Sequence, residues 1–229
     1  MGNKMITSSQ YQGVFVEKKG VKSSFYTKNL LPGRKVYDER LVRLNGAEYR
    51  EWNPKKSKIG AALAKNIVKC PIKEGDCVLY LGCASGTTAS HISDIIGVYG
   101  FLFGIDFAYR VMRDFLFLCD ERKNMVPILA DCGHPELYEK RIFLCDVIIQ
   151  DIAQKNQLQI FLQNLRFLKK GGFGFLVIKA RSIDVVKNPK KIFEEIRVEL
   201  QKHVKIIDYR TLDPFEIDHC IFLIEKEKM

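Results

Sequence analysis

From Asp76 onward the chain repeats one pattern, a short and nearly continuous apolar run followed by a stretch long enough for a helix. The runs are Val78-Leu-Tyr-Leu, Phe101-Leu-Phe-Gly-Ile, Val126-Pro-Ile-Leu, Val147-Ile-Ile and Phe173-Gly-Phe-Leu-Val-Ile. A strand that is apolar at successive positions, and not only at alternate ones, is covered on both faces. Such strands alternating with helices specify a parallel sheet packed between helical layers. Two further runs close the pattern, Val204-Lys-Ile-Ile-Asp-Tyr and Cys220-Ile-Phe-Leu-Ile. The short link between them, through Asp213-Pro214, reads as a hairpin, so the last strand is expected to run antiparallel. That makes an α/β sheet of seven strands.

The first fifty residues have a different texture. Tyr11-Gln-Gly-Val-Phe-Val, Ser24-Phe-Tyr-Thr and the segment from Val36-Tyr through Val42-Arg-Leu are strand-like, separated by Gly20, Pro32-Gly33 and Asn45-Gly46. Asn-Gly suits a tight hairpin because both residues tolerate positive φ. A small antiparallel β domain over residues 1–52 is expected, then an α/β domain over 53–229. Glu51-Trp-Asn-Pro leads into a helix predicted from about Ser57 to Val68, with Ile59, Leu63 and Ile67 on one face. A chain of 229 residues is long enough for one sizeable core with a small appended domain.

Composition excludes several classes. No apolar run approaches the roughly 18–20 residues that span a bilayer, and the opening residues lack the apolar core of a signal peptide. Seven cysteines without a Cys-x-x-Cys pair fit neither a disulfide framework nor a zinc ribbon. Cys77, Cys119, Cys145 and Cys220 are expected to pack as small hydrophobes. Cys132 and His134 lack a second ligand pair, so no metal site is expected. An intracellular protein is the expectation. Of the net charge of +10, residues 1–58 contribute +8, from thirteen Lys/Arg against five Asp/Glu. Such asymmetry suggests a surface facing a polyanion; ordinary solubilising charge is the plainer reading.

The residues at the ends of the central strands are more specific. The runs end at Gly82, Asp106, Asp131, Asp151 and Lys179. Ligands of open α/β sheets bind outside the carboxyl ends of the strands, so a glycine loop, three carboxylates and a lysine are delivered to one rim. Any one of them is an unexceptional surface residue; the convergence of five is not. The loop Gly82-Cys-Ala-Ser-Gly-Thr-Thr88 has Ala84 and Thr87 where a dinucleotide fingerprint needs glycine, and it lacks the Gly-Lys-Ser/Thr of a phosphate-binding loop. It therefore suits an adenosine-type ligand without a pyrophosphate, a description that S-adenosylmethionine satisfies. Asp106, twenty-four residues beyond Gly82, is spaced to accept from ribose hydroxyls. Asp131, one strand further along, is placed to accept from the adenine amino group. Phe107 either offers its ring to the base or packs in the core.

The run Tyr80-Leu-Gly-Cys-Ala-Ser-Gly-Thr-Thr-Ala-Ser-His-Ile-Ser-Asp94 resembles the cofactor motif of fibrillarin and its archaeal homologues. The resemblance extends to Glu51-Trp-Asn-Pro-Lys-Lys-Ser-Lys58, Asp151-Ile-Ala-Gln154, Val177-Ile-Lys-Ala180 and Pro214-Phe-Glu-Ile-Asp-His219, in the family's order from about residue 35. It implies a Rossmann-like methyltransferase sheet behind the small β domain, with S-adenosylmethionine as cofactor and methylation of the ribose 2′-hydroxyl in ribosomal RNA and, in archaea, transfer RNA. It implies partners as well: a box C/D guide RNA that selects the target, a Nop-family scaffold protein, and a kink-turn-binding, ribosomal-protein-like subunit. The Gly/Arg-rich N-terminal tail of eukaryotic members is not seen here, which favours the archaeal type and a cytoplasmic location. Two positions depart from the family: Cys83 stands where Ala is usual, and Asp106 where Glu is usual.

From the family's Lys-Asp-Lys-His set, Lys58, Asp151, Lys179 and His219 are the expected catalytic residues. Gly82, Ala84, Gly86, Thr87, Thr88, Asp106, Phe107, Asp131, Cys132, Asp151 and Gln154 are the expected cofactor contacts. Two roles stay open for Lys179: accepting the hydroxyl proton, which requires a pKa below the usual value of about 10.4, or remaining charged to stabilise a developing alkoxide. A stand-alone RNA 2′-O-methyltransferase, a structural subunit with decayed activity and a small-molecule methyltransferase are the competing readings.

Overall fold

The computed structural model describes residues 5–20 and 22–227. Five short strands come first: β1 (Ile6–Ser8), β2 (Val14–Lys19), β3 (Lys22–Lys28), β4 (Leu41–Leu44) and β5 (Ala47–Trp52). They form an antiparallel sheet in the order β1-β2-β3-β5-β4, with Asn45 and Gly46 at positive φ in the β4–β5 hairpin. The strand expected from Val36 is realised only over β4. The Glu39 carboxylate accepts from the Val36 and Tyr37 N–H groups at 2.9 and 2.8 Å, and this local turn takes donors that a neighbouring strand would need.

Helix α1 (Lys58–Ala64) is capped by the Ser57 hydroxyl, which accepts from the Gly60 N–H at 3.1 Å. It ends before Val68 because the chain turns at Asn66 with φ 54°, a conformation that Asn tolerates better than most residues. Then come β6 (Cys77–Leu81), α2 (Thr87–Ile96), β7 (Phe101–Asp106), α3 (Tyr109–Glu121), β8 (Met125–Leu129), β9 (Cys145–Gln150), α4 (Gln157–Asn164), β10 (Leu168–Lys179), α5 (Ala180–Ile183), α6 (Pro189–Leu200), β11 (Lys205–Thr211) and β12 (His219–Glu225). Seven of these strands form one sheet in the order β11-β12-β10-β9-β6-β7-β8. As expected, β12 is antiparallel to both of its neighbours, and the five central strands are parallel.

Every residue of β6 is buried. Val78 and Tyr80 face one apolar cluster, whereas Cys77, Leu79 and Leu81 face the other, the period of two that a pleated strand imposes. The first cluster is shared by both sheets: Tyr11, Val14, Phe25 and Trp52 pack with Ile59, Ile92 and Ile95. Helix α2 is consequently buried on nearly all sides, and it carries polar groups toward the small sheet. Asp94 accepts from Arg50 at 2.8 Å and from Arg122 at 2.7 Å, while Arg50 also reaches Glu39 at 2.9 Å. His91, also fully buried, lies within 2.8 Å of the Thr27 hydroxyl and stacks on Trp52 at 5.0 Å between ring centres. Among the described residues no helix is long and apolar enough to cross a membrane, and no group of His, Cys, Asp and Glu is arranged to hold a metal ion.

Candidate active site

The chain leaves β6 for β7 and β8 on one side of the sheet, and β9, β10 and β12 lie on the other. That reversal opens a crevice at the carboxyl ends of β6 and β9. Gly82 and Asp151 meet there: the Asp151 N–H donates to the Leu81 carbonyl at 2.9 Å. A Cβ on Gly82 would lie 2.5 Å from the Asp151 carbonyl oxygen, and φ at Gly82 is 79°. Only glycine lets the two strand ends come this close.

One half of the rim is built around two carboxylates, Asp106 and Asp131. Asp106 accepts from the Ala84 N–H at 3.1 Å and from the Ala108 N–H at 2.9 Å, tying the glycine loop to the end of β7. Each of its oxygens keeps a second lone pair for a hydroxyl donor. Asp131 Oδ1 accepts from Gln154 Nε2 at 3.0 Å and from the Gly133 N–H at 2.8 Å. These donors, Gln154 first, hold the Asp131 carboxyl below the usual carboxylate range. Ala84 and Ser85 are exposed, Gly86 caps α2 with φ 95°, and Thr87 is half-buried beside it. Phe107 is exposed, which removes it from the core and leaves its ring at the rim.

Two expected contacts turn inward. The Thr88 hydroxyl is buried and donates to Ser57 at 3.0 Å, linking α2 to α1 and not to the loop. Cys132 is 3% exposed, and burial, with Asp106 adding, pushes its thiol up to about 12; it packs behind the rim in the apolar cluster. Burial likewise raises Cys83. The chemistry of the rim is thus carboxylates for hydroxyl and amine donors, glycine-type turns, and a loop without a phosphate-binding lysine. These residues fit a cationic sulfonium nucleoside better than a nucleotide.

The other half is a cluster of charges. Lys179, the last residue of β10, places Nζ 2.9 Å from Asp151 Oδ1. Lys58, at the start of α1, reaches Asp151 Oδ2 at 3.7 Å and Glu216 Oε1 at 3.3 Å. Burial pulls the Lys58 ammonium down, but Asp151 and Glu216 together outweigh it and hold its pKa above the ordinary value. Lys58 is therefore a fixed positive charge. His219 lies opposite Lys179 in the β10–β12 pairing. Its Nδ1 sits 2.6 Å from the Ile217 carbonyl, an acceptor only, so Nδ1 carries the proton and a neutral ring keeps its Nε2 lone pair. His219 is a neighbour of the cluster, not a member of its ion pairs.

Glu216 is the residue that the sequence did not single out. It stands in the Pro214–His219 segment, where nothing marks it except an acidic side chain three positions before His219. The buried glutamine Gln157, at the start of α4 with its side chain on β10, also went unnoticed because an amide in an amphipathic helix reads as surface.

A mixed seven-stranded sheet with a glycine loop after its first parallel strand and carboxylates after the next two defines an α/β methyltransferase-type protein. Comparison with known proteins sharpens this. The family model described as Fibrillarin matches residues 5–228. A fibrillarin-like rRNA/tRNA 2′-O-methyltransferase of Thermococcus onnurineus is 47% identical over 214 residues, covering 93% of this chain and 94% of that one. The crystal structure of Aeropyrum pernix fibrillarin with natively bound S-adenosyl-L-methionine superposes with a TM-score of 0.88 at 44% identity, over 96% of this chain and 97% of that one. A fibrillarin/Nop5p complex contains a chain that superposes with a TM-score of 0.83 at 32% identity, over 96% of this chain and 100% of the other. The chain belongs to the fibrillarin family.

Proposed function

We propose that this chain is an S-adenosylmethionine-dependent RNA 2′-O-methyltransferase, and that it acts on ribosomal and transfer RNA as the catalytic subunit of a box C/D guide ribonucleoprotein. The observation that carries the reading is Asp151: one carboxylate, beside the glycine loop, holds Lys179 at 2.9 Å and Lys58 at 3.7 Å. When bound, S-adenosylmethionine supplies an activated methyl group, so the protein must orient the acceptor hydroxyl and manage its proton. In this reading Asp106 accepts from the cofactor's ribose hydroxyls and Asp131 from its adenine amino group, with Gln154 fixing Asp131.

Of the two roles open to Lys179, its ion pair with Asp151 favours the charged one. An ammonium has three N–H donors. Those not spent on Asp151 bind the 2′-hydroxyl oxygen and stabilise negative charge as it develops. As the new C–O bond forms the hydroxyl gives up its proton, and Asp151, the carboxylate that holds Lys179, accepts it. Lys58, held by Glu216 at 3.3 Å, lies 3.7 Å from the other oxygen of Asp151 and helps fix the carboxylate in place. His219 completes the hydrogen bonding with its free Nε2.

The surroundings support an RNA substrate held by partners. Within residues 1–58 all five acidic side chains pair with cations of the same segment: Glu17 and Glu51 with Arg40, Asp38 with Lys56, Glu39 with Arg50 and Glu48 with Arg43. The +8 excess there consists chiefly of lysine charge, suited to a phosphate backbone. A Nop-family scaffold, as in the fibrillarin/Nop5p complex, a kink-turn-binding subunit and the guide RNA complete the particle in this proposal. Residues 1–52 act as its small β domain and 53–229 as its catalytic domain, and the location is cytoplasmic.

The test is methyl transfer from labelled S-adenosylmethionine to a target RNA, with and without guide RNA and partner proteins. The proposal expects alkali-resistant 2′-O-methylation at the guided nucleotide only in the assembled particle. Equal methylation of bare RNA by the chain alone, or label on a base, contradicts it.

A further inference from the structure

Strand β10 runs past the end of its parallel neighbour. The β9–β10 pairing stops at Leu176 opposite Gln150, because the chain turns off the sheet there to present Asp151. Lys179, three residues further, thus has no strand on that side to receive its N–H or to donate to its carbonyl. On the other side it lies opposite His219, and the backbone bond next to that pair comes from Ala180, whose N–H donates to the Asp218 carbonyl at 3.1 Å.

The vacant strand position is filled by one side chain. Gln157, the first residue of α4, accepts from the Lys179 N–H through Oε1 at 2.9 Å and donates from Nε2 to the Lys179 carbonyl at 3.2 Å. A carboxamide has the donor and acceptor spacing of a peptide group, so it stands in for the missing strand residue. Gln157 is itself held: Gln150 Nε2 donates to its backbone carbonyl at 2.7 Å. Both glutamines are completely buried. Gln150 is the residue immediately before Asp151. A chain of three hydrogen bonds therefore connects the backbone that carries Asp151 with the backbone that carries Lys179, by a route separate from the ion pair between their side chains.

We propose that Gln157 is a positioning residue for methyl transfer, clamping the Lys179 backbone so that its ammonium keeps its place against Asp151 and the acceptor hydroxyl. The proposal rests on the role assigned to Lys179 above. Gln157 itself touches neither cofactor nor hydroxyl. Its removal frees the end of β10 while the glycine loop, Asp106 and Asp131 stay as they are. Misplacement of a reacting group by about 1 Å costs up to about 100-fold in rate, so the effect belongs in kcat and not in cofactor affinity.

The experiment pairs two readouts on Gln157→Ala and on Gln157→Met, which keeps the volume and loses the hydrogen bonds; the second serves where the first does not fold. Amide hydrogen exchange is followed at Lys179 in the chain alone, and single-turnover methyl transfer is followed in the assembled particle. The clamp predicts exchange at Lys179 accelerated at least about ten-fold relative to Val177, turnover lowered by about 10- to 100-fold, and S-adenosylmethionine affinity within about three-fold of wild type, with Gln157→Asn, one methylene too short, not restoring the rate. Unchanged exchange at Lys179 overturns the clamp. Accelerated exchange with wild-type turnover overturns its catalytic role, and so does a parallel loss of turnover and cofactor affinity. A wild-type particle that transfers no methyl group counts against the function proposed above, and the exchange measurement then decides the clamp by itself.

Discussion

Two charge clusters in this molecule are made from the same parts and serve opposite ends. In the first, Asp94 is shared by Arg50 and Arg122, and Arg50 also holds Glu39; these side chains are 0–1% exposed. In the second, Asp151 is shared by Lys58 and Lys179, and Lys58 also holds Glu216; these are 12–23% exposed. The topology is the same, a carboxylate between two cations with a second carboxylate on one of them. The first uses guanidinium groups, whose planar forks lock geometry, and it is closed off between the small sheet and α2. The second uses ammonium groups, which swivel and retain spare donors, and it opens into a crevice. Identical net charge therefore produces glue in one place and, in the proposed function, a reactive site in the other. The deciding variables are burial and the choice of arginine or lysine.

That contrast breaks most visibly at Asp151. Replacing it with Asn leaves Lys58 and Lys179 without their shared anion and removes the proposed proton acceptor, and turnover is expected to fall by about 10²–10⁴-fold with the melting temperature nearly unchanged. Single-turnover assays and thermal melts on the same preparation check both halves. The mirror-image change is Arg50→Ala. Breaking a buried pair from one side costs about 3–5 kcal/mol, so chemical denaturation should show a large loss of stability, whereas methyl transfer per folded molecule stays close to wild type.

A smaller effect separates the clusters by pH. Burial drives the His91 pKa well below its ordinary 6.5, with Arg50 and Arg122 adding to the shift. The unfolded chain takes up a proton near pH 6.5 that the folded chain refuses, so stability is complete above that pH and is lost as pH falls below it. The slope is about 1.4 kcal/mol per pH unit. Denaturation curves between about pH 7.5 and 5 should show that slope in wild type, and one proton less in His91→Gln. The smallest effect is expected at Glu216→Gln, which leaves Lys58 on Asp151 alone. The predicted result is a loss of a few-fold in turnover, about 1 kcal/mol, with cofactor affinity unchanged in an equilibrium titration.

The two clusters were not equally legible in the sequence. Apolar runs announced the parallel strands, and strand ends announced Asp106, Asp131, Asp151 and Lys179, since a polar residue after such a run has only the rim to occupy. The family resemblance brought Lys58 and His219. Nothing comparable pointed inward. Arg50, Arg122, Glu39 and Asp94 carry full charges and read as surface, because charged residues are almost never buried unless paired, and pairing between residues 44 positions apart, as for Arg50 and Asp94, leaves no local trace. The direction of Thr88 was hidden too, because a loop motif shows which residues are near a ligand and not which way each side chain turns; the first turn of α2 sends Thr88 to Ser57. The end of α1 at Ala64 and the irregular segment before β4 were set by Asn66 and Glu39, through backbone details that apolar periodicity does not record.

The division of the rim into a cofactor half and a proton-handling half is tested most directly by titrating S-adenosylmethionine into Lys179→Ala while following its methyl transfer in the assembled particle. Such a division predicts affinity within about three-fold of wild type together with a rate lowered by at least about 100-fold. A rate near wild type, or affinity lost in step with the rate, contradicts it.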